Sequence, residues 1–286
     1  MNARQFMKGQ IQWLLLFVAV CYAGQLEDGE RLLVVVPESS PAAFQSLKTQ
    51  HPQYVTNRTC NAHRLYALDT HTHYDHFAKE RCGRYVSHLI IRRSVIRYIP
   101  SNFFIHKTSF EYLITLRMEN VSLRAIYPHN FENITHLEVL QMAHNQIEHV
   151  SAGIFRHLSA VHTVDLSYNQ IESIDTDAFR DCITLQHLQL NNNRLTTLEA
   201  DWLRGLINVK YLDFSDNLIE SDFDGDILYG ASGVKLFLRS NRIKRVLSFG
   251  RKSDRAIFRL IDLSGNTLRP PYPIIPLGND NMSVIY

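Results

Sequence analysis

Cysteine is scarce: four in 286 residues are too few for a chain held together by a dense disulfide framework, so stability must come from a buried apolar core. An excess of either charge is missing too. The 30 Lys and Arg against 28 Asp and Glu leave a formal net charge of +2, with neither a basic run nor an acidic tail. That balance removes the general electrostatic argument for nucleic acid or an anionic membrane as partner. No apolar run of bilayer length follows the first 23 residues, so no membrane span is expected. There is no Gly-rich phosphate loop, no Gly-x-Ser-x-Gly elbow and no Cys-x-x-Cys pair, and enzymatic activity is not expected. What remains, at 45% hydrophobic and 20% charged, is a globular chain.

The first residues bear on compartment. Arg4 and Lys8 precede the apolar run "IQWLLLFVAVCYA", which contains no acid and is shorter than a membrane span, so residues 1–23 are expected to be a secretory signal peptide cleaved after Ala23. A secreted, extracellular protein follows. Cys21 would leave with the peptide, and Cys60, Cys82 and Cys182 stay. Cys60 and Cys82 are near each other in sequence and are the expected disulfide, worth about 3 kcal/mol by loop-closure entropy. Asn57, Asn120, Asn133 and Asn281 lie in Asn-x-Ser/Thr sequons open to glycosylation.

The chain repeats itself. "LEVLQMAHNQIEHVSAGIFRHLSA" from Leu137, "VHTVDLSYNQIESIDTDAFRDCIT" from Val161 and "LQHLQLNNNRLTTLEADWLRGLIN" from Leu185 share a 24-residue frame. Apolar residues fall at positions 1, 4, 6, 11, 14, 19 and 22, and Asn at position 9. The frame also fits from Leu113, where Val121 takes the Asn place, and continues from Val209, Gly233 and Phe258. A degenerate first copy starts at Val86, giving about eight copies over residues 86–269. Residues 24–85 are the expected amino-terminal segment and cap, and 270–286 a carboxy-terminal cap in which Tyr272, Ile274 and Ile275 would cover the last core. Self-association through that end is the other way to cover it.

The spacing has a physical reading. Alternation at positions 4 and 6 is strand-like, with both side chains inward. The Asn comes where the chain must turn, and its buried amide can satisfy backbone groups of the turn and of the next copy. Positions 14 and 19 would roof the core. Two departures stand out. Cys182 fills position 22 and should be buried and unreactive; the copy from Val209 breaks its roof with Asp222 at position 14 and Gly230 at position 22.

The pattern L-x-x-L-x-L-x-x-N-x-L at this period resembles the leucine-rich repeat family. The resemblance implies an α/β repeat, a leucine-rich-repeat solenoid whose parallel strands line a concave face, here with a disulfide-bearing amino-terminal cap. Together, the signal peptide, the cysteine-bearing cap and the repeats look most like secreted insect proteins of this kind, the mosquito leucine-rich-repeat immune proteins. That likeness implies innate immunity and a complement-like thioester protein as partner. The coiled coil that family uses for pairing has no counterpart after Leu268.

One stretch points elsewhere. "HTHYDH", residues 71–76, is similar to the metal-binding signature of the metallo-β-lactamase zinc hydrolases. That chemistry needs the signature on a loop after a buried strand of an αββα sandwich, with further ligands from later loops. The repeats occupy the space such a domain would need. His71, His73 and His76 are therefore expected on a polar loop or short helix of the cap, with no metal ligand and no cofactor assigned; a zinc-dependent hydrolase is the remote alternative.

Residues that project from the strands without serving the core can report on function. At position 5 these are Arg117, Gln141, Asp165, Gln189, Asp213 and Phe237; at position 3, His187, Tyr211 and Lys235; at positions 7 and 8, Arg92, Tyr168 and Arg239. Aromatic and Arg side chains of this kind dominate protein recognition. The expected function is a secreted binding protein that uses this face on an extracellular protein partner, with an adhesion or receptor-like module at a cell surface as the alternative.

Overall fold

Positions 3 to 5 form a strand in every copy, because an inward apolar side chain at position 4 stands between outward ones at 3 and 5. The computed structural model describes residues 59–63, 65–67, 86–101, 103–104, 110, 112–203, 205–228, 230–249, 258–270 and 282–286. The signal-peptide residues, Cys82, Asn57, Asn281, the HTHYDH stretch and Tyr272, Ile274 and Ile275 lie outside them.

In chain order the strands are β1 (Thr59–His63), β2 (Tyr66–Ala67), β3 (His88–Arg92), β4 (Val95–Ile96), β5 (Thr115–Met118), β6 (Val139–Gln141), β7 (His149–Val150) and β8 (Thr163–Asp165). There follow β9 (Ser173–Ile174), β10 (His187–Gln189), β11 (Tyr211–Asp213), β12 (Phe223–Asp224), β13 (Val234–Phe237), β14 (Val246–Ser248), β15 (Phe258–Asp262) and β16 (Ser283–Ile285). Ten of them form one parallel sheet in the order β1-β3-β5-β6-β8-β10-β11-β13-β15-β16. Register follows the repeat frame: Leu188 lies between Val164 and Leu212, and Leu212 between Leu188 and Leu236. On the opposite side, β2 pairs with β4, β7 with β9 and β12 with β14. Among the described residues that side carries these short strands and 3-10 turns such as Pro128–Phe131 and Ala200–Trp202, because the frame leaves little chain there for longer helices.

Between the two sides runs one apolar core. Leu116, Leu140, Val164, Leu188, Leu212 and Leu236 are fully buried from the strand side. Opposite them, Phe131, Phe155 and Phe179 form a file at position 19, with centroids 6.2 and 5.4 Å apart. Cys182 is 0% exposed. Burial, and then the nearby Asp181 charge, push its thiol up to about 12, so the thiolate that would react is not formed. Native protein treated with iodoacetamide at neutral pH is expected to stay unmodified at Cys182 and to be modified on denaturation, read by mass spectrometry; rapid labelling of the native chain would contradict this.

The asparagines form the second structural system. The Asn193 Oδ1 accepts the Ile171 N–H at 2.9 Å, and its Nδ2 donates to the carbonyls of Leu166 and Leu190, both at 3.0 Å. Asn145, Asn169, Asn217, Asn241 and Asn266 repeat the arrangement. Each amide therefore ties its own turn to the preceding copy, where the sequence suggested the following one. The reason is that position 9 sits above the position-11 amide of the coil before it. Val121 cannot accept, and there the Ile96 N–H turns to the Val121 carbonyl at 2.7 Å. In the first copy Ser94 substitutes, its Oγ accepting from Leu65 N at 2.9 Å.

Four local features differ from the sequence reading. First, the parallel ladder begins before Val86: Cys60 on β1 registers with Leu89 and is buried among the core side chains. Second, it ends on β16, where Met282 is buried and Val284 packs on the core; these two, among the described residues, cover the last coil. Third, Asp222 does not break the roof, because Phe223, one place later, is buried instead. Asp222 turns outward to Arg245, whose Nε donates to it at 3.1 Å. Fourth, in the copy from Gly233 the glycine is exposed with φ +68° and Val234 buries in its place, shifting the register between Val234 and Lys235.

Candidate partner-binding face

The strand face carries one outward residue at position 3 and one at position 5 of each coil, with position 7 at the strand end in β3 and beyond it in the later coils. Position 8 then reverses the chain. Arg93, Asn120, His144, Tyr168, Asn192, Asp216 and Ser240 all have φ between 48° and 57°, and Gly265 has φ 72°. Each left-handed residue costs about 1–2 kcal/mol for a side chain bearing a Cβ. Part of that is offset by bonds between coils: the Tyr168 N–H donates to the Asn191 carbonyl at 3.0 Å and the Asp216 N–H to the Arg239 carbonyl at 2.8 Å. Tyr168 thus stands on the rim turn and not on the strand face itself, 48% exposed and stacked on His144 at 4.3 Å. His144 was missed in the sequence; its position 8 was the available signal.

The other expected residues fall into two groups. Toward the amino-terminal end Arg92 is exposed, and half-buried Arg117 is held by Glu119 at 2.7 Å. Gln141 registers between Arg117 and Asp165. The Asp165 Oδ1 accepts from both the N–H and the Oγ of Ser167, at 2.9 and 2.6 Å. Asp213 accepts from the Ser215 N–H at 2.9 Å in the same way. These carboxylates therefore also hold the strand ends, a role the sequence reading did not assign.

The second group is contiguous. His187 and Tyr211 lie 6.0 Å apart on neighbouring strands, and Tyr211 and Phe237 lie 5.0 Å apart on a diagonal with their planes tilted by 37°. The Tyr211 hydroxyl donates to Asp213 Oδ2 at 3.2 Å. Partial burial first, and then the Asp213 charge and hydrogen bond, push this phenol up to about 12, so it remains a donor. Gln189 registers with Asp213, and Asp213 with Phe237. Lys235 on β13 and Arg239, two residues after its end, are exposed, and Arg239 approaches Asp216 at 3.7 Å. The result is a ring cluster rimmed by charge of both signs, a composition suited to protein recognition.

Comparison with known proteins bears on the central repeats. Residues 111–171, 159–219 and 183–243 match the leucine-rich repeat family. The solenoid is a leucine-rich-repeat fold. No curated protein matches the sequence. Among solved structures, the leucine-rich repeat domain of APL1B superposes with a TM-score of 0.50 at 25% identity, over 59% of this chain and 46% of that one. The chain thus spans less than half the length of that leucine-rich-repeat structure. Leucine-rich-repeat solenoids commonly use their strand face as an extended binding surface.

Proposed function

We propose that this is a secreted leucine-rich-repeat protein that binds an extracellular protein partner through its strand face, centred on Tyr211 and Phe237, in innate immunity. The observation that carries it is the ring cluster of His187, Tyr211 and Phe237. These side chains lie outside the core and stand on three neighbouring strands of the sheet, with the Tyr211 ring beside both His187 and Phe237. Folding requires no aromatic residue at any of the three positions: the equivalent places in other coils hold Thr163, Val139 and Gln189. Support for secretion comes from the first 23 residues, and for immunity from the resemblance to mosquito leucine-rich-repeat immune proteins. By that resemblance a complement-like thioester protein is the partner. A Cys60–Cys82 disulfide would tie the amino-terminal rung to the segment after it. A glycan on Asn120, exposed on the rim turn, would leave the Tyr211 end of the face open; Asn133 is half-buried on the opposite side.

The test is affinity capture from extracellular fluid with the tagged full chain beside a Tyr211→Ala, Phe237→Glu double variant. Binding to a specific prey should fall by at least about a hundredfold, as for loss of two central anchors, with the circular dichroism spectrum unchanged. Equal capture by both proteins would move the site off the strand face.

A further inference from the structure

A second file of side chains runs along the flank where the chain leaves the strand face. Position 12 of each coil follows position 11, buried in seven copies and partly buried at Leu268 in the last, and is exposed in all eight copies. The first four read Arg97, Arg124, Glu148 and Glu172. Successive members are direct neighbours: the Arg124 N–H donates to the Arg97 carbonyl and the Glu172 N–H to the Glu148 carbonyl, both at 2.9 Å. Two cations therefore sit on adjacent rungs, then two carboxylates. Like charges placed directly across neighbouring strands destabilise, and nothing in the core demands either charge at an exposed position. Among the described residues Arg97, Arg124 and Glu148 form no ion pair, and Glu172 takes one, with Arg194 at 3.1 Å.

A blocked pattern of this kind complements its own reverse. We propose that this flank is the contact between two copies of the chain, arranged antiparallel about a two-fold axis that passes between Arg124 and Glu148. Arg124 then meets Glu148 of the second copy, Arg97 meets Glu172, and symmetry repeats both contacts. Other registers are disfavoured. The remaining members are Thr196, Glu220, Lys244 and Arg269, so a fully overlapped antiparallel pair would set Arg97 against Arg269 and Arg124 against Lys244. A parallel pair in register would set every charge against itself. Charge thus selects one arrangement by repelling the others. Because exposed ion pairs contribute little individually, the association is weak and depends on salt. It leaves the strand face free and does not rest on the partner proposed above.

Sedimentation velocity of the full chain tests it. At low salt, concentration-dependent dimers are expected, dispersing at roughly 0.5 M salt, where screening acts within a few ångströms. Arg124→Glu and Glu148→Arg should each weaken association by about tenfold or more, since each reverses two symmetry-related contacts. Neither should shift the thermal midpoint much, because each removes one like-charge neighbour and creates one: Arg124→Glu parts from Arg97 but joins Glu148, and Glu148→Arg parts from Glu172 but joins Arg124. The decisive sample is an equimolar mixture of the two variants. In a mixed pair the carboxylate introduced at position 124 of one chain meets the guanidinium introduced at position 148 of the other, and association should return. A wild-type chain that is monomeric at low salt overturns the proposal, and so does a mixture that fails to recover what the single variants lose.

Discussion

Asn193→Ala is expected to destabilise the solenoid by about 1–3 kcal/mol, because the buried Ile171 N–H is left unsatisfied, while the Leu166 and Leu190 carbonyls lose one donor and keep those of Asn169 and Asn217. The amide is 7% exposed, and it is the partner of the Ile171 N–H and of the carbonyls of Leu166 and Leu190. Alanine fills less space and offers none of these bonds. Serine keeps one acceptor, as Ser94 does for Leu65, so Asn193→Ser should lose less than alanine. Thr196→Ala, on an exposed position of the same coil, is the control and should stay within about 0.5 kcal/mol. Urea unfolding followed by two spectroscopic probes measures all three, since a repeat array can melt in segments. A loss below about 1 kcal/mol for Asn193→Ala would mean that the ladder contributes little.

Phe155→Ala is the second large effect, about 3–5 kcal/mol for a phenylalanine truncated in a close-packed core. Phe155 is 1% exposed and stacks on Phe179 with planes 18° apart, while Phe131 follows on its other side. Its removal opens a cavity in the middle of a file, where neither neighbour can collapse without losing the other. Phe155→Leu should cost about 1–3 kcal/mol, less than alanine because leucine refills more of the volume; the chain itself uses Leu203 at the same place. The same unfolding experiment reads both variants. Equal losses for Ala and Leu would show that the ring stacking, and not the filled volume, is what matters.

Much of this was legible from spacing. The apolar frame, the buried asparagines and the buried Cys182 follow from a period that repeats often enough to average out local accidents. What escaped lay where the period weakens. The rung formed by β1 carries Cys60 and Ala62 where other coils carry larger apolar side chains such as Leu89 and Ile91, so its side chains match the frame poorly although its backbone continues the ladder. The last rung, Ser283–Ile285, is three residues long and has no repeat behind it to announce it. In the copy from Val209 a one-residue slip exchanged Asp222 for Phe223, because the coil can shift locally to bury a ring. The ring cluster was half legible. Tyr211 and Phe237 could be placed on the strand face by counting, but their contact is diagonal and needs the register between β11 and β13. The bonds from Asp165 and Asp213 to the serines two residues on were hidden by their resemblance to ordinary solvent-facing acids.

The left-handed residue at position 8 has a consequence for how this molecule can vary over time. It sits on the rim, where a binding surface would be free to accept almost any side chain, yet its backbone excludes those branched at Cβ more strongly than others. The residues found there are Arg, Asn, His, Tyr, Asp, Ser and Gly, with no valine, isoleucine or threonine. The rim can therefore change in charge, aromaticity and hydrogen bonding from coil to coil, while its available alphabet stays narrower than that of the strand positions two or three residues away.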